Sequence, residues 1–452
     1  MILSSPGQKF NDRVTIDDRA GEGRRLQRIS HNVIPGGCHT YSKGDDQFPA
    51  TAPAFIERGK GCHVWDLDGN EFIEYGMGLR SVTLGHAYPA VLDAVRRQLE
   101  LGTNFTRPSS IEVECAQAVL GVIRGADQVK FTKDGSTATS AAVKLARAYT
   151  GRDLVAFCGD HGFFSYDDWF IGKTPMNSGI PKAVSDLSLT FRFNDIESVR
   201  RLFDERPGQV ACLIMEPARD AEPADGFLHK TMDLCHRNGA VFILDENITG
   251  FRWHLGGAQE YYDIVPDLSV FGKAIANGFA LSALAGKREL MDLGGIHHDK
   301  ERVFLLSTTH GAETHALAAA IATIQVYKDE PVIEHLYRQG ARLVQGFRQA
   351  SAFHGLSRYV DVVGKECNLW YSTCDSDGIP SQAFRSLFLQ ELIKRRVLAP
   401  SLVVSYSHND EDIDRTIEAV DGAMGVYKQA LDDGVDHYLL GPPSNVVFRK
   451  YN

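Results

Sequence analysis

The sequence lacks the features that mark several large classes of protein. Its 452 residues include 58 acidic and 48 basic side chains, a net charge of −10. Proteins that bind nucleic acid present a basic face, so we expect no nucleic-acid partner. No apolar run reaches the roughly 18 residues that a membrane span needs, so we expect no membrane partner. Residues 1–25 contain no apolar segment of signal-peptide length, which predicts a cytoplasmic protein.

Paired cysteines are also missing. The eight cysteines are scattered, and none stands in a CxxC arrangement. Cys158 and Cys212 fall within apolar runs, which is typical of reduced, buried thiols in a cytosolic protein. Cys38-His39 and Cys62-His63 have no second pair at zinc-finger spacing, so no metal site is predicted.

What is present is the composition of a globular protein long enough for two or three domains. Residues 54–75 alternate apolar and polar side chains across Asp68-Gly69, which predicts a β-hairpin. From about residue 88 to 325, helical patterns alternate with short apolar runs. This order predicts a mainly parallel sheet covered on both faces by helices. The strand candidates are "LVAFC", "VACLIM", "AVFIL", "LSVFG" and "LSALAG".

The pattern changes again near residue 330. Residues 330–440 combine a strand candidate, "CNLWYST", with two amphipathic helical patterns. We therefore predict an α/β fold with a large domain, residues 81–328, and a smaller α+β domain built from both termini. Residues 1–80 would supply an N-terminal arm and part of the small domain, and residues 329–452 the rest of it.

Two charged residues follow consecutive strand candidates. Asp245 ends "VFILD", and Lys273 follows "LSVFG" 28 residues later (273 − 245). If these strands are parallel neighbours, both side chains reach the crevice at the carboxyl edge of the sheet, where open α/β sheets bind ligands. Taken singly, a lysine at a strand end more often reaches solvent, and an aspartate there often caps a helix.

Taken as a pair, these residues indicate pyridoxal phosphate (PLP). Burial would lower the pKa of Lys273 and make its amine a better nucleophile. A lysine can hold the aldehyde of PLP as an imine, and a carboxylate such as Asp245 can pair with its pyridinium nitrogen.

A phosphate site is predicted at the start of the helix in "FTKDGSTATSAAVKLARAYTG". Gly135, Ser136 and Thr137 open that helix, and their backbone N–H groups and two hydroxyls suit an anion. An ordinary capped helix would show the same pattern, because serine and threonine are frequent caps.

The sequence resembles the class III PLP-dependent aminotransferases of fold type I, and in particular the glutamate-1-semialdehyde 2,1-aminomutase branch. The resemblance spans roughly residues 30–430. The segments that carry it are "IPGG", "VWDLDGNEFIEY", "LGHAYP", "ARAYTGRD", "DENITGFR", "PDLSVFGKAIANG" and "STTHGAETHALAAA".

The resemblance implies a role for several residues. Lys273 corresponds to the Schiff-base lysine, Asp245 to the pyridinium partner, and residues 135–137 to the phosphate loop. Thr309 corresponds to a threonine that reaches the phosphate of the neighbouring subunit's cofactor, which implies a homodimer with shared active sites. Glu216 corresponds to a family glutamate near the site, with its role left open.

Two positions beside the cofactor depart from the family. Asp160 stands where the family has an aromatic residue stacked on the cofactor ring, so His161, Phe163 or Phe164 is expected there instead. Asn247 replaces a branched apolar residue that packs on the other ring face, which introduces an amide with hydrogen-bonding needs.

The residues expected to contact the substrate also differ from those of the aminomutases. Lys43 stands where the aminomutases have an arginine for the substrate carboxylate, and lysine offers a point charge in place of a bidentate fork. Arg80 and Arg107 are other candidate anion partners, each equally typical of a structural arginine. With His39 and Tyr41, Lys43 predicts a polar or sugar-like substrate.

The expected activity is transfer of an amino group from an amino-acid donor to an aldehyde or ketone. Two alternatives remain open at this point. One is an aminomutase, an isomerase that shifts the amine within a single molecule. The other is a non-catalytic binding protein on the same fold.

Overall fold

A computed structural model describes residues 21–451 of the chain. The first part of the predicted N-terminal arm, residues 1–20, lies outside the described residues. Within the described range, no helix is both long and apolar enough to cross a membrane.

The strands include every apolar run predicted from the sequence. They are β1 (Ile56–Lys60), β2 (His63–Asp66), β3 (Glu71–Glu74), β4 (Gln128–Thr132), β5 (Leu154–Cys158), β6 (Ser188–Phe191), β7 (Val210–Met215), β8 (Val241–Asp245), β9 (Leu268–Phe271), β10 (Ser282–Gly286), β11 (Val360–Lys365), β12 (Asn368–Thr373) and β13 (Val397–Leu398).

The helices alternate with the strands through the middle of the chain. They are α1 (Glu22–Val33), α2 (Met77–Arg80), α3 (Pro89–Leu99), α4 (Ser110–Leu120), α5 (Gly135–Thr150), α6 (Asp168–Ile171), α7 (Lys182–Ser185), α8 (Ile196–Glu205), α9 (Phe227–Arg237), α10 (Ala258–Tyr261), α11 (Arg288–Met291), α12 (Thr314–Asp329), α13 (Val332–Phe353), α14 (Gln382–Lys394) and α15 (Asp410–Asp433).

A seven-stranded sheet, in the order β4-β10-β9-β8-β7-β5-β6, forms the centre of the fold. Strands β6, β5, β7, β8 and β9 run parallel, as predicted. Strand β10 is the exception, since it runs antiparallel to both β9 and β4. The segment between β9 and β10, residues 272–281, is too short for a crossover helix, so the chain returns antiparallel.

The middle strands of this sheet are buried at every position. Helices pack on both faces, and α5 shows how each begins and ends. The carboxylate of Asp134 caps the start of α5 by accepting from the Thr137 N–H at 2.8 Å. Gly151 ends the helix in the left-handed region, with φ of 67°.

The two termini supply a smaller layer. Strands β2 and β3 form the predicted hairpin, and β13 from the C-terminal region pairs parallel with β3. Ile73 and Tyr75 share one apolar cluster with Leu343, Phe388 and Tyr427. The N-terminal and C-terminal segments thus pack on a common core. The domain limits at residues 80 and 328 stay a prediction.

The Cys62-His63 pair joins the hairpin to α15. The Cys62 thiol donates to Asp412 Oδ2 at 3.2 Å, and His63 Nε2 lies 3.0 Å from Asp412 Oδ1. His63 Nδ1 lies 2.8 Å from Glu71. Although these groups are close enough to hold a metal ion, each already has a hydrogen-bonding role. Hydrogen bonds from His63 and Cys62 outweigh the effect of burial and lower the pKa of Asp412 to about 2.

Candidate active site

Four neighbouring parallel strands end at predicted site residues. Asp245 is the last residue of β8, and Glu216 directly follows β7. Lys273 comes two residues after β9, and His161 three residues after β5. Because these strands are parallel neighbours in the sheet, all four side chains lie along the same carboxyl edge.

Asp245 is a buried carboxylate with an adjacent cation. Its side chain is 2% exposed, and burial raises its pKa to about 6. The Lys273 charge and hydrogen bonds from Asn247 act in the opposite direction and favour the ionised form. The Asn247 backbone N–H and side-chain amide both donate to Oδ1, at 2.9 and 2.7 Å, so neither uses Oδ2.

Lys273 has the properties of a reactive amine. Burial lowers its pKa, the positive charges of Arg80 and Arg252 add to that effect, and Asp245 and Glu216 oppose it. The residue opens a 3-10 turn and lies in the left-handed region, with φ of 44°. A non-glycine residue is held there at a cost, a pattern that is common in functional sites.

Asn247 is the point at which three predicted motifs meet. A Cβ atom added to Gly135 would lie 2.6 Å from the Asn247 amide, and one added to Gly272 would lie 2.2 Å from its Oδ1. A larger residue at either position would displace the Asn247 side chain. The phosphate loop, the strand end at Asp245 and the lysine turn are thereby packed together.

The second acid of the Asp245-Glu246 pair has a structural role. Glu246 is fully buried and accepts hydrogen bonds from Thr249 and from the backbone N–H groups of Ala258 and Gln259, the latter two at 2.9 and 2.6 Å. Burial still raises the pKa of Glu246 to about 7. Glu246 thus anchors the start of α10, while Asp245 faces the crevice.

His161 is buried beside Glu216. Its Nδ1 accepts from the Glu216 backbone N–H at 3.2 Å, which assigns the ring proton to Nε2. Burial and the charge of Arg219 lower the pKa of His161 to about 3, so the ring is neutral. Asp160 is exposed and accepts a hydrogen bond from the Phe193 N–H at 2.7 Å.

The first turn of α5 has free donors. The N–H groups of Gly135 and Ser136 precede the first intrahelical hydrogen bond of the helix, so they can face an anion. Thr137 donates its N–H and its hydroxyl to Asp134, and its hydroxyl also lies 3.1 Å from Tyr166. Tyr166 N–H donates to the Ser136 hydroxyl at 3.2 Å.

The family of the chain follows from its match to a family model. Residues 43–367 match the model for class III aminotransferases. The chain belongs to the class III aminotransferases. The assignment made from the sequence motifs is confirmed, and with it PLP as the cofactor.

Solved structures agree with this assignment. The FumI protein of Sphingopyxis sp. MTA144, in its PLP internal aldimine form, is 27% identical, with a TM-score of 0.83 over 91% of this chain and 97% of that one. An omega-transaminase from Sphaerobacter thermophilus is 24% identical, with a TM-score of 0.83 over 91% and 99%. A glutamate-1-semialdehyde-aminomutase from Pseudomonas aeruginosa PAO1 is 20% identical, with a TM-score of 0.78 over 90% and 94%. The last two establish the shared fold only, and the predicted fold class is confirmed.

The site of this class III aminotransferase fits PLP. Asp245 offers Oδ2 to a pyridinium N–H, and Lys273 offers an amine with a lowered pKa. Gly135 and Ser136 offer backbone N–H groups to a phosphate. His161 Nε2 and Glu216 Oε2 are buried and have no hydrogen-bond partner within residues 21–451, so both can bind a polar group of a ligand.

Three predicted site residues lie apart from this crevice. Lys43 lines a cavity of about 1210 Å³ together with Gly78 and Leu79, and neither Lys273 nor Asp245 lines that cavity. Tyr41 is 63% exposed. Thr309 is exposed, and Asn104 donates to its carbonyl at 2.9 Å. Its role across a dimer stays a prediction.

Sequence reasoning named Arg80 but missed the residues around it. Arg80 Nε donates to Asn368 Oδ1 at 2.9 Å, and its guanidinium lies 3.8 Å from the centre of the Trp370 ring. Arg219 lies 5.4 Å from the same ring. Arg252 is fully buried and donates to the Arg80 carbonyl at 2.6 Å. "EPARD" and "TGFR" contain two of these arginines, but only tertiary contacts bring them to Trp370.

Proposed function

We propose that the chain is an aminotransferase that moves an amino group from an amino-acid donor to an aldehyde or ketone acceptor. The observation that carries this proposal is the pair formed by Asp245 and Lys273. Asp245 is buried and Lys273 is half-buried at the ends of adjacent parallel strands, and desolvation moves their pKa values toward each other. An acid and an amine with such pKa shifts, side by side in a crevice, are typical of a catalytic centre.

PLP, when bound, supplies the electron sink for breaking a bond at the carbon that bears the amine. The residues of the chain supply the rest. Lys273 would hold the cofactor and, with its lowered pKa, take a proton from the substrate carbon and return it. Asp245 would keep a proton on the pyridine nitrogen, and Asn247 would hold Asp245 ionised. Gly135, Ser136 and Thr137 would hold the phosphate.

Several finer assignments belong to this proposal. His161 would pack beside the cofactor ring in place of the family aromatic residue. Lys43, which lines the cavity of about 1210 Å³, and the exposed Tyr41 would favour a polar or sugar-like acceptor over glutamate semialdehyde. A cytoplasmic location would suit the eight free cysteines.

The first test is a visible spectrum of the protein with PLP, before and after addition of excess L-glutamate and then a panel of other primary amines. We expect the yellow band of lysine-bound cofactor to fade with at least one donor. Stoichiometric release of the matching oxo compound would identify the half-reaction. A protein that binds PLP and converts no amine would refute the proposal and favour the non-catalytic alternative.

A second measurement distinguishes an aminotransferase from an aminomutase. An aminomutase returns its amine to the same carbon skeleton and consumes no external donor. With a nitrogen-15 labelled donor, an aminotransferase carries the label into the product formed from the acceptor. Product without the label would support the aminomutase.

A further inference from the structure

Residues 439–451, the strap, follow the last helices of the chain and cross the molecule without forming a helix or a strand. The strap starts on α14, where the Leu440 N–H donates to Gln390 Oε1 at 2.8 Å. The Ser444 N–H then donates to the Ser386 hydroxyl at 2.8 Å, and the two serine hydroxyls also lie 2.8 Å apart. Both serines are buried. This end of the strap is therefore fixed to the smaller layer of the fold.

The middle of the strap is fixed to the N-terminal segment through Asp46. The Asn445 N–H donates to the Asp46 carbonyl at 2.7 Å, and the guanidinium of Arg449 lies 2.7 Å from the Asp46 carboxylate. One residue thus receives both a backbone hydrogen bond and an ion pair from the strap. Asp46 lies in the 3-10 turn next to the one that carries Lys43.

The far end of the strap packs on an aromatic cluster beside the central sheet. The ring of Phe448 stacks on that of Phe163, with centres 6.4 Å apart and 26° between the planes. It also meets Phe170 edge-on at 6.4 Å, and Phe170 packs on Phe157 of β5 at 5.2 Å. Such ring pairs stabilise a structure beyond the area that they bury. Phe163 is already 49% exposed, so loss of Phe448 would leave much of its ring in water.

The segment under Phe448, residues 163–170, lies against the start of α5. The Tyr166 N–H donates to the Ser136 hydroxyl at 3.2 Å, and the Tyr166 hydroxyl lies 3.1 Å from that of Thr137. Ser136 and Thr137 are two of the three residues proposed to hold the cofactor phosphate. Residues 163–170 therefore set the direction of two hydroxyls at the phosphate site.

Two further hydrogen bonds fasten the same segment to the next turn of α5. The Phe164 carbonyl accepts from the Thr139 hydroxyl at 2.8 Å. The indole N–H of Trp169 donates to the Ser140 hydroxyl at 2.9 Å. A restraint on residues 163–170 is thus passed along the first two turns of the helix.

We propose that the strap positions the phosphate-binding start of α5, and that Phe448 is the residue through which it acts. Phe448 works through residues 163–170, so it is a positioning residue and not a catalytic one. A site held in its bound conformation loses less conformational entropy when its ligand arrives, and it binds that ligand more tightly. The inference rests on the phosphate site assigned in the proposed function and adds a determinant of PLP affinity that lies outside the crevice.

The test compares PLP with pyridoxal, which lacks the phosphate group. Equilibrium dialysis gives the Kd of each compound for the wild type and for Phe448→Ala. We expect the Kd for PLP to rise about 3- to 10-fold, the range for a lost aromatic contact. The Kd for pyridoxal should change by less than about twofold, because pyridoxal has no phosphate for the helix start to bind.

Three other variants sharpen the test. Tyr451→Ala is the matched control, because Tyr451 lies on the same strap but is 77% exposed, and its Kd for PLP should equal that of the wild type. Phe448→Tyr keeps the ring and should restore most of the affinity. Asp46→Asn removes the ion pair with Arg449, which is partly exposed, so the Kd for PLP should rise only about twofold.

The ratio of the two Kd values separates positioning from misfolding, because a damaged fold would weaken both compounds alike. Equal loss of affinity for PLP and pyridoxal in Phe448→Ala, or an unchanged Kd for PLP, would overturn the proposal. Binding is measured without an amine substrate, so the result does not depend on amine conversion. A protein that shows the expected ratio but converts no amine would support the role of the strap and count against the proposed function.

Discussion

Asn247 is the single residue that most tightly couples the parts of the cofactor site. It donates twice to Asp245 Oδ1 and fills the space beside Gly135 and Gly272. Sequence comparison with the family identified Asn247 only as a departure. The structure gives it a positive role, because its hydrogen bonds favour the charged form of Asp245 against burial.

Replacing Asn247 should weaken cofactor binding in a pH-dependent way. Asn247→Ala removes one hydrogen bond to a buried carboxylate, so the pKa of Asp245 should rise above about 6. Asp245 would then be largely neutral at pH 6 and a poorer pyridinium partner. We expect the Kd for PLP to rise about tenfold, with a larger effect at pH 6 than at pH 8. Equilibrium dialysis at both values measures it.

The control for Asn247→Ala is another asparagine that donates to an aspartate, outside the cofactor site. Asn70 donates its side-chain amide to Asp66 at 2.9 Å in the hairpin turn. Asn70→Ala should leave PLP affinity unchanged. Equal loss of affinity in the two variants, or no loss in Asn247→Ala, would contradict the role given to Asn247.

Lys273→Ala tests the reactive amine. The variant should bind PLP without a covalent bond, and conversion of any amine should fall by about 10³-fold or more, since the same group holds the cofactor and moves the proton. Borohydride reduction followed by mass spectrometry should label Lys273 in the wild type only. Lys287→Ala serves as control, because Lys287 pairs with Asp267 at 2.6 Å and should not affect labelling.

At the level of elements, the contact between the hairpin and α15 holds the small sheet in place. Asp412 accepts from Cys62 and His63, and within α15 it completes a capping box with Asn409. The helix is one of the two amphipathic helices predicted within residues 330–440, and its local pattern is visible in "DEDIDRTIEAVDGAMGVY". The contacts of Asp412 with Cys62 and His63, some 350 positions away in the sequence, have no local sequence signal.

Asp412→Asn should destabilise the fold in a pH-dependent way. Because the pKa of Asp412 falls to about 2 from an ordinary value of about 3.9, its contribution is present above about pH 4 and is lost as pH falls toward 2. We expect a loss of about 2 kcal/mol in the free energy of unfolding at pH 7 and a smaller loss at pH 3. Urea unfolding followed by circular dichroism measures both.

A second aspartate on the same helix provides the control. Asp414 is 61% exposed and pairs with Arg342 at 2.7 Å. Exposed pairs contribute little, so Asp414→Asn should change the free energy of unfolding by less than about 1 kcal/mol. Equal changes in the free energy of unfolding for Asp412→Asn and Asp414→Asn at pH 7 would show that the contact between the hairpin and α15 does not stabilise the fold.

For the whole molecule, we propose a homodimer with shared active sites. Thr309 is exposed in the single chain, and several large apolar side chains near it in sequence or on the adjoining loop are also exposed. These include Leu101, Phe105, Ile296 and Phe304. Exposed apolar side chains in number are typical of a surface that another molecule covers.

A mixing experiment tests the shared sites. Lys273→Ala and Thr309→Ala variants are each expected to be impaired, the second through roughly tenfold weaker PLP binding. After joint unfolding and refolding, mixed dimers would contain one site with both Lys273 and Thr309 intact. We expect amine conversion well above that of either variant refolded alone. No gain on mixing, together with a monomer in sedimentation, would contradict the dimer.

Much of the fold was predictable because it depends on local pattern. Short apolar runs between helices predicted the buried parallel strands, and Asp245 and Lys273 were found because each stands at a strand end. Strand β10 was predicted from "LSALAG", but its antiparallel direction was not, since that direction depends on the length of one connection. Gly135, Ser136 and Thr137 were recognisable because helix starts have a local signature.

The sequence by itself determined the family, the cofactor and the pair of Asp245 with Lys273, because these depend on residues close to strand and helix ends. Tertiary structure alone decided which charges meet around that pair. Arg80, Arg219 and Trp370 come from three distant segments, and each is an ordinary residue in its own local context. Their meeting at one place is a property of packing and cannot be read along the chain.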